Sequence, residues 1–212
     1  MVPPFRPLRI MLQTSRSESF MPKMSRIETA LCRSASWRHF TGSVVLPWAL
    51  QGHDIRGDVL ELGAGSGAMA AALLQRAPGI RLTITDLDEG MVASARGRFP
   101  SPAPKVEQAD ATALPFESAS FDFVLSFLML HHVLNWQAAI AEAARVLRPG
   151  GMLIGYDLTA SPAAKLIHLV DRSPHRLAQP SELTATARQV GLDISVRTGL
   201  VHQAMRFRAR KR

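Results

Sequence analysis

Asp58-Val59-Leu60-Glu61-Leu62-Gly63-Ala64-Gly65-Ser66-Gly67 reads as a short apolar strand that runs straight into a glycine turn, with an Ala-rich helical stretch behind it. Glycine tolerates positive φ and carries no side chain, so such a turn lets a ligand lie against bare backbone. The amides that open the next helix are free to meet a carboxylate or phosphate. A plain strand-helix turn can carry the same pattern, so its meaning depends on what surrounds it.

From Val59 onward, short apolar runs alternate with segments of helical period, which predicts βαβ units and a parallel sheet. The runs are Val59 to Leu62, Leu82 to Thr85, Lys105 to Gln108, Phe121 to Ser126 and Met152 to Tyr156. Helices are predicted near 67–77, 89–98, 136–147 and 161–171, and another is marked by Ser181 after Pro180 and by Gly191 at its far end. Strands near 192–198 and 202–209 would close the sheet as a hairpin. The expected fold is α/β: a single Rossmann-like, seven-stranded, mostly parallel sheet with helices on both faces and an antiparallel C-terminal hairpin.

Two acids stand at the ends of these runs. Asp86 closes the second, twenty-three residues after Gly63, where doubly wound folds place a carboxylate that accepts from ribose hydroxyls. Asp110 follows the third in Glu107-Gln108-Ala109-Asp110-Ala111, where an adenine amino group could donate to it; read singly, it is equally a helix N-cap.

Upstream, Ser25-Arg26-Ile27-Glu28 has the form of a capping box, so a helix is expected to begin there. Trp37, Phe40, Val44, Val45 and Trp48 fall at helix-like spacings, interrupted by Gly42 and Pro47. The expected organisation is a disordered extension over 1–24, then one domain over 25–212 made of a helical N-terminal cap (25–55) and a cofactor-binding core (56–212). The cap's apolar face is expected to pack on the core, with a flap over a substrate pocket as the alternative.

The formal charge of +8 changes meaning once it is located. Residues 1–40 hold seven Lys/Arg against Glu18 and Glu28, residues 206–212 add five more with no acid, and the stretch between has thirteen bases against fifteen acids. The basic ends read as short solvated segments, which disfavours a nucleic-acid partner. Cys32 is the single cysteine, so no intrachain disulfide or cysteine-built metal site is expected, and a reducing, cytoplasmic setting fits. No apolar run approaches the roughly 20 residues of a membrane-spanning helix.

Taken together, Gly63 to Gly67, Asp86, Asp110-Ala111, Ser120-Phe121-Asp122 and Arg145-Val146-Leu147-Arg148-Pro149-Gly150-Gly151 resemble, in order and spacing, the class I S-adenosylmethionine-dependent methyltransferases. The resemblance spans about residues 55–210 and is nearest to the methyltransf_11-like group, whose members mostly act on small molecules, quinones and lipids. It implies S-adenosylmethionine as cofactor, with Gly63, Ala64, Gly65 and Gly67 under its methionine part and Glu61 toward its amino group. Asp86 and Leu87 would meet the ribose, Asp110 and Ala111 the adenine, and Ser126 and Phe127 would border the methyl group. The Leu147 to Gly151 tract is implied to be structural, and no resident metal is expected.

His131 and His132 follow the fourth run, where an acceptor would meet the methyl group. A neutral histidine there could take a proton from a nucleophile, with His132 ahead of His131 in that role and an orienting role as the competing reading. Tyr156, Asp157 and His168 are further pocket candidates. Ser126-Phe127-Leu128-Met129 stands where amino-methylating nucleic-acid enzymes carry Asn/Asp-Pro-Pro-Tyr/Phe, and this disfavours that group. The expected activity is methyl transfer to a small-molecule or lipid-like acceptor. An RNA methyltransferase, a nicotinamide-dependent oxidoreductase and a non-catalytic cofactor-binding module are the alternatives; the G-x-G-x-G spacing argues against the oxidoreductase.

Overall fold

The computed structural model describes residues 39–100, 103–160, 175–199 and 203–212. The strand at the head of the glycine turn forms as β1 (Asp58–Leu62), followed by α2 (Ala68–Arg76), β2 (Arg81–Asp86), α3 (Glu89–Arg96) and β3 (Lys105–Gln108). Then come β4 (Phe121–Phe127), a 3-10 turn at Leu130–His132, α4 (Trp136–Val146), β5 (Leu147–Leu158), α5 (Pro180–Gln189), β6 (Leu192–Gly199) and β7 (Ala204–Lys211). Ahead of them a π-helical turn, Thr41–Val45, leads into α1 (Leu46–Leu50). The capping box at Ser25, the extension over 1–24, the helix expected at 161–171 and His168 lie outside the described residues.

The seven strands form one sheet in the order β3-β2-β1-β4-β5-β7-β6. All pairings through β5 are parallel, while β7 runs antiparallel to both β5 and β6, as the sequence pattern predicts. Alternation along the strands feeds two cores. Leu60, Leu62, Val124, Leu153 and Phe207 pack with Trp136, Ile140 and Leu183 under α4 and α5. Val59, Ile84, Leu125 and Ile154 pack with Leu46, Leu50, Met69 and Leu73 under α1, α2 and α3. Helices therefore cover both faces.

Local chemistry explains the element ends. Asp88 caps α3 by accepting from the Met91 amide at 3.0 Å, and Gln179 with Glu182 forms a capping box around Pro180 at the head of α5. The start of α5 is thus carried by Gln179 rather than Ser181. Pro47 does not break the helix before β1. The Leu46 amide donates to the Thr41 carbonyl across the wide π turn, and Pro47 then falls in the first turn of α1, where no intrahelical donor is required. Leu46, Ala49 and Leu50 are buried, so this face packs on the core.

Two readings are corrected by the coordinates. β5 begins at Leu147, five residues earlier than the apolar run at Met152; Leu147 pairs with Phe121, and a register shift between Phe121 and Phe123 absorbs the Pro149-Gly150-Gly151 punctuation. The basic C-terminal residues are not a free tail: Arg206 to Lys211 belong to β7, the strand expected near 202–209, which is hydrogen-bonded on both sides while the Arg208 and Arg210 side chains stay exposed.

The Arg145 to Gly151 tract holds loops to the frame. Arg145 donates to the carbonyls of Leu114 and Phe116 and pairs with Glu142, whose carboxyl it holds below the ordinary range. Arg148 bridges Asp58 and Asp122 at the amino ends of β1 and β4.

Candidate active site

The glycine turn sits at the carboxyl edge of β1, beside the ends of β2 and β4, the edge at which open α/β sheets bind ligands. Gly63 (φ 60°), Gly65 (φ 54°) and Gly67 (φ 77°) all have left-handed backbones. The reasons differ along the turn. A Cβ on Gly63 would collide with the Met129 side chain, whereas a Cβ on Gly65 would meet no atom within 4 Å. Gly63 is demanded by packing, and Gly65 borders open space. The Ala64 amide donates to the Thr85 carbonyl at 2.9 Å, and Arg98 donates to the Ser66 carbonyl and hydroxyl, pinning the outer turn.

Three polar side chains stand around this turn. Asp86 accepts from the Gly65 amide at 2.8 Å through one oxygen and from the Asp88 amide at 2.9 Å through the other. The Leu87 amide also acts on this carboxylate, which has about four acceptor sites and so keeps room for a further donor. Glu61 is fully buried in β1, and one of its carboxylate oxygens, Oε2, has no hydrogen-bond partner among the described residues. Burial, reinforced by the charge of Asp86, pushes its carboxyl up to about 8, and burial also raises Asp86. Ser126, opposite Leu62 at the end of β4, is buried with its hydroxyl likewise unpartnered. An unpaired buried polar atom is costly, and the Glu61 oxygen next to the turn points to a ligand with a donor to offer, whereas Ser126 lies on the other face of the sheet.

Asp110 follows β3 and holds an Asx turn, one oxygen accepting from the amide and hydroxyl of Thr112 at 2.8 and 2.7 Å. No helix follows Asp110 among the described residues, so the N-cap reading gives way to a turn. Ala111 and Leu87 are half-buried nearby in the chain, and Gln108 donates to the Leu87 carbonyl at 2.9 Å, tying the β2 and β3 ends together.

The two histidines separate cleanly. His131 is buried; its Nδ1 pairs with Asp157 Oδ1, and its amide donates to Asp157 Oδ2 at 3.2 Å. Asp157 also accepts from the Leu158 amide, so one carboxylate ties the turn after β4 to the end of β5. His132 stacks on His131 with ring centroids 4.0 Å apart and is more exposed. Tyr156 lies under Trp48 and Phe127, 5.6 and 5.8 Å between ring centroids, and Leu128, next in the chain after Phe127, has a positive φ of 53°. The His131–Asp157 pairing, the Met129 plug over Gly63 and the Arg98 pin carry no local sequence signal, because each joins residues distant in the chain.

Among the described residues this edge combines carboxylates, carbonyls and bare backbone with no facing arginine pair, so it suits a cationic, donor-rich ligand. A groove of about 930 Å³ lies at the opposite, amino edge of the sheet, lined by Arg56, Arg148, Arg208 and Arg210 together with Asp122 and Asp193. Those arginines disfavour a cation there.

Residues 60–155 match the family model described as a methyltransferase domain. The chain is 39% identical over 119 residues to the ubiquinone/menaquinone biosynthesis C-methyltransferase UbiE of Paracoccus denitrificans, covering 54% of this chain and 47% of that one. It is 34% identical over 106 residues to the demethylmenaquinone methyltransferase of Thermus thermophilus, covering 49% and 48%. The chain thus spans about half the length of these curated relatives. Among solved structures, the PH0226 protein of Pyrococcus horikoshii superposes with a TM-score of 0.71 at 20% identity, covering 85% of this chain and 93% of that one. An S-adenosylmethionine-dependent methyltransferase of Mesorhizobium loti gives 0.69 at 20%, covering 85% and 100%. At such identities these two likenesses show the fold.

Proposed function

We propose that the chain, whose residues 60–155 match a methyltransferase-domain model, is a methyltransferase of that family and moves a methyl group from S-adenosylmethionine to a small, quinone-like or lipid-like acceptor. The observation that carries this reading is the pairing of open backbone at Gly65 with the buried, unpartnered Glu61 oxygen beside it. A ligand ammonium would supply the donor that Glu61 lacks and return its carboxyl to the ionised form. Ribose hydroxyls would use the remaining lone pairs of Asp86, and Asp110 with Ala111 and Leu87 would border the base.

The bound cofactor supplies a methyl group on a sulfonium whose departing sulfur is a neutral thioether. Little acid-base help is then needed at the leaving group, and the protein's work is alignment, for which effective concentration supplies at most about 7–11 kcal/mol. A ring carbon that gains the methyl group must release a proton. We assign its acceptance to His132, with His131 clamped behind it by Asp157. The printed names of the relatives support a quinone ring as the acceptor class. The lone Cys32 supports a reducing, cytoplasmic setting, and among the described residues no helix is long and apolar enough to cross a membrane.

The test is incubation of the purified chain with methyl-labelled S-adenosylmethionine and either demethylated quinones or a lipid extract. Label in an organic-soluble product, with equimolar S-adenosylhomocysteine, is expected. Tight cofactor binding with no labelled product across both acceptor sets would instead indicate a binding module, and NADH binding in place of S-adenosylmethionine an oxidoreductase.

A further inference from the structure

Interior strands of a covered sheet ordinarily bury both faces, yet β7 does not. Met205, Phe207 and Ala209 are buried under α4 and α5, while Arg206, Arg208 and Arg210 alternate with them on the other face. Directly opposed residues share a face, so Asp193, Ser195 and Arg197 of β6 and Met152, Ile154 and Tyr156 of β5 flank the arginine row. Arg206 is used locally, donating to the Trp48 carbonyl at 3.0 Å with its guanidinium over the Trp48 ring. Toward the amino edge of the parallel strands the row opens into the groove of about 930 Å³.

Charge in that groove is unbalanced. Arg148 is neutralised by Asp58 and Asp122. Arg56, Arg208 and Arg210 have no carboxylate partner among the described residues; Arg208 meets only His53 Nε2 at 3.4 Å. Asp193 is the one lining carboxylate outside the Arg148 pairs. Alternate residues on a strand start about 7 Å apart on one face, so Arg208 and Arg210 offer two neighbouring guanidinium forks to a phosphate-bearing ligand. The groove is concave, unlike the flat face that a bilayer requires. Its described lining offers no exposed Phe, Tyr or Trp, so an extended single-stranded nucleic acid would find no stacking platform.

We propose that this groove, at the sheet edge opposite the glycine turn, binds a small phosphate-bearing polyanion through Arg208, Arg210 and Arg56. It is independent of the methyl-transfer reading, since its residues touch none of those around Gly65.

Titration calorimetry of the full chain with inorganic pyrophosphate tests it. Saturable binding is expected, weakening as salt is raised. The double variant Arg208→Gln/Arg210→Gln should lose at least tenfold in pyrophosphate affinity while S-adenosylmethionine affinity stays unchanged. Asp193→Asn should bind pyrophosphate more tightly, which keeps the proposal decidable if the double variant folds poorly. No pyrophosphate binding, or binding indifferent to both sets of changes, overturns it. So does far tighter, Arg208/Arg210-dependent capture of phosphatidylglycerol vesicles or of a uridine oligonucleotide, which would reassign the face to a membrane or to nucleic acid.

Discussion

The Asp86 carboxylate accepts from the Gly65 amide at 2.8 Å, so the residue expected to meet the ribose also latches the turn that would carry the methionine part. Asp86→Ala should therefore do two things. Loss of two hydrogen bonds to a charged acceptor should lower stability by about 2 kcal/mol, and S-adenosylmethionine affinity should fall by at least tenfold. Denaturant unfolding and calorimetry read the two effects separately; intact affinity in a folded variant would remove Asp86 from the cofactor site.

Gly63 and Gly65 share a backbone conformation but differ in surroundings. Gly65→Ala carries only the left-handed backbone penalty, about 1–2 kcal/mol, and should fold yet fail to bind cofactor because its methyl group enters the open space. Gly63→Ala adds a collision with Met129 and should be the less stable of the two by thermal melting. A Gly65→Ala protein with undiminished affinity would mean that no ligand lies against that backbone.

Glu61 makes stability depend on pH. Its carboxyl ionises at about 8 when folded and near 4.5 when unfolded, so in between the folded state holds the extra proton. The raised carboxyl thus contributes fully below about pH 4.5, and stability falls as pH rises through 8, by at most about 1.4 kcal/mol per unit. Urea midpoints from about pH 5 to about pH 9 should show this fall and a shallower one in Glu61→Gln, where Asp86, raised by burial too, still contributes. Cofactor binding near neutral pH should release a proton in the wild type, seen as a buffer-dependent binding enthalpy, and should release less in the variant.

His131 and His132 should part company on substitution. Asp157→Ala strands buried His131 and should cost about 3 kcal/mol. His132→Ala should leave stability within about 1 kcal/mol and lower kcat by about 10²-fold or more, with the acid limb of the pH-rate profile flattened. An unchanged kcat for His132→Ala would send the proton elsewhere.

The order of elements was legible because glycine turns, helix caps and apolar runs act locally. Asp86 and Gly65 could be paired in role from spacing alone, since parallel β1 and β2 must end side by side. Asp157 could be suspected only as a pocket residue, because its contact with His131 exists through the β4–β5 register and the turn after β4. The early start of β5 at Leu147 was hidden by Pro149-Gly150-Gly151, which read locally as a break. The basic residues from Arg206 looked like a free tail because charge is counted along the chain, whereas their alternation with Met205, Phe207 and Ala209 places them on an interior strand.

That strand also governs when the sheet can be finished. Among the described strands β6 hydrogen-bonds only to β7, and β7 alone joins it to β5. During synthesis, a nascent chain that has emerged through Gly199 has β5 with one edge open and β6 with no strand beside it. Both wait for Ala204–Lys211, which follows them in the chain, so until it emerges the open β5 edge is a point at which a chaperone or a second nascent chain could engage it.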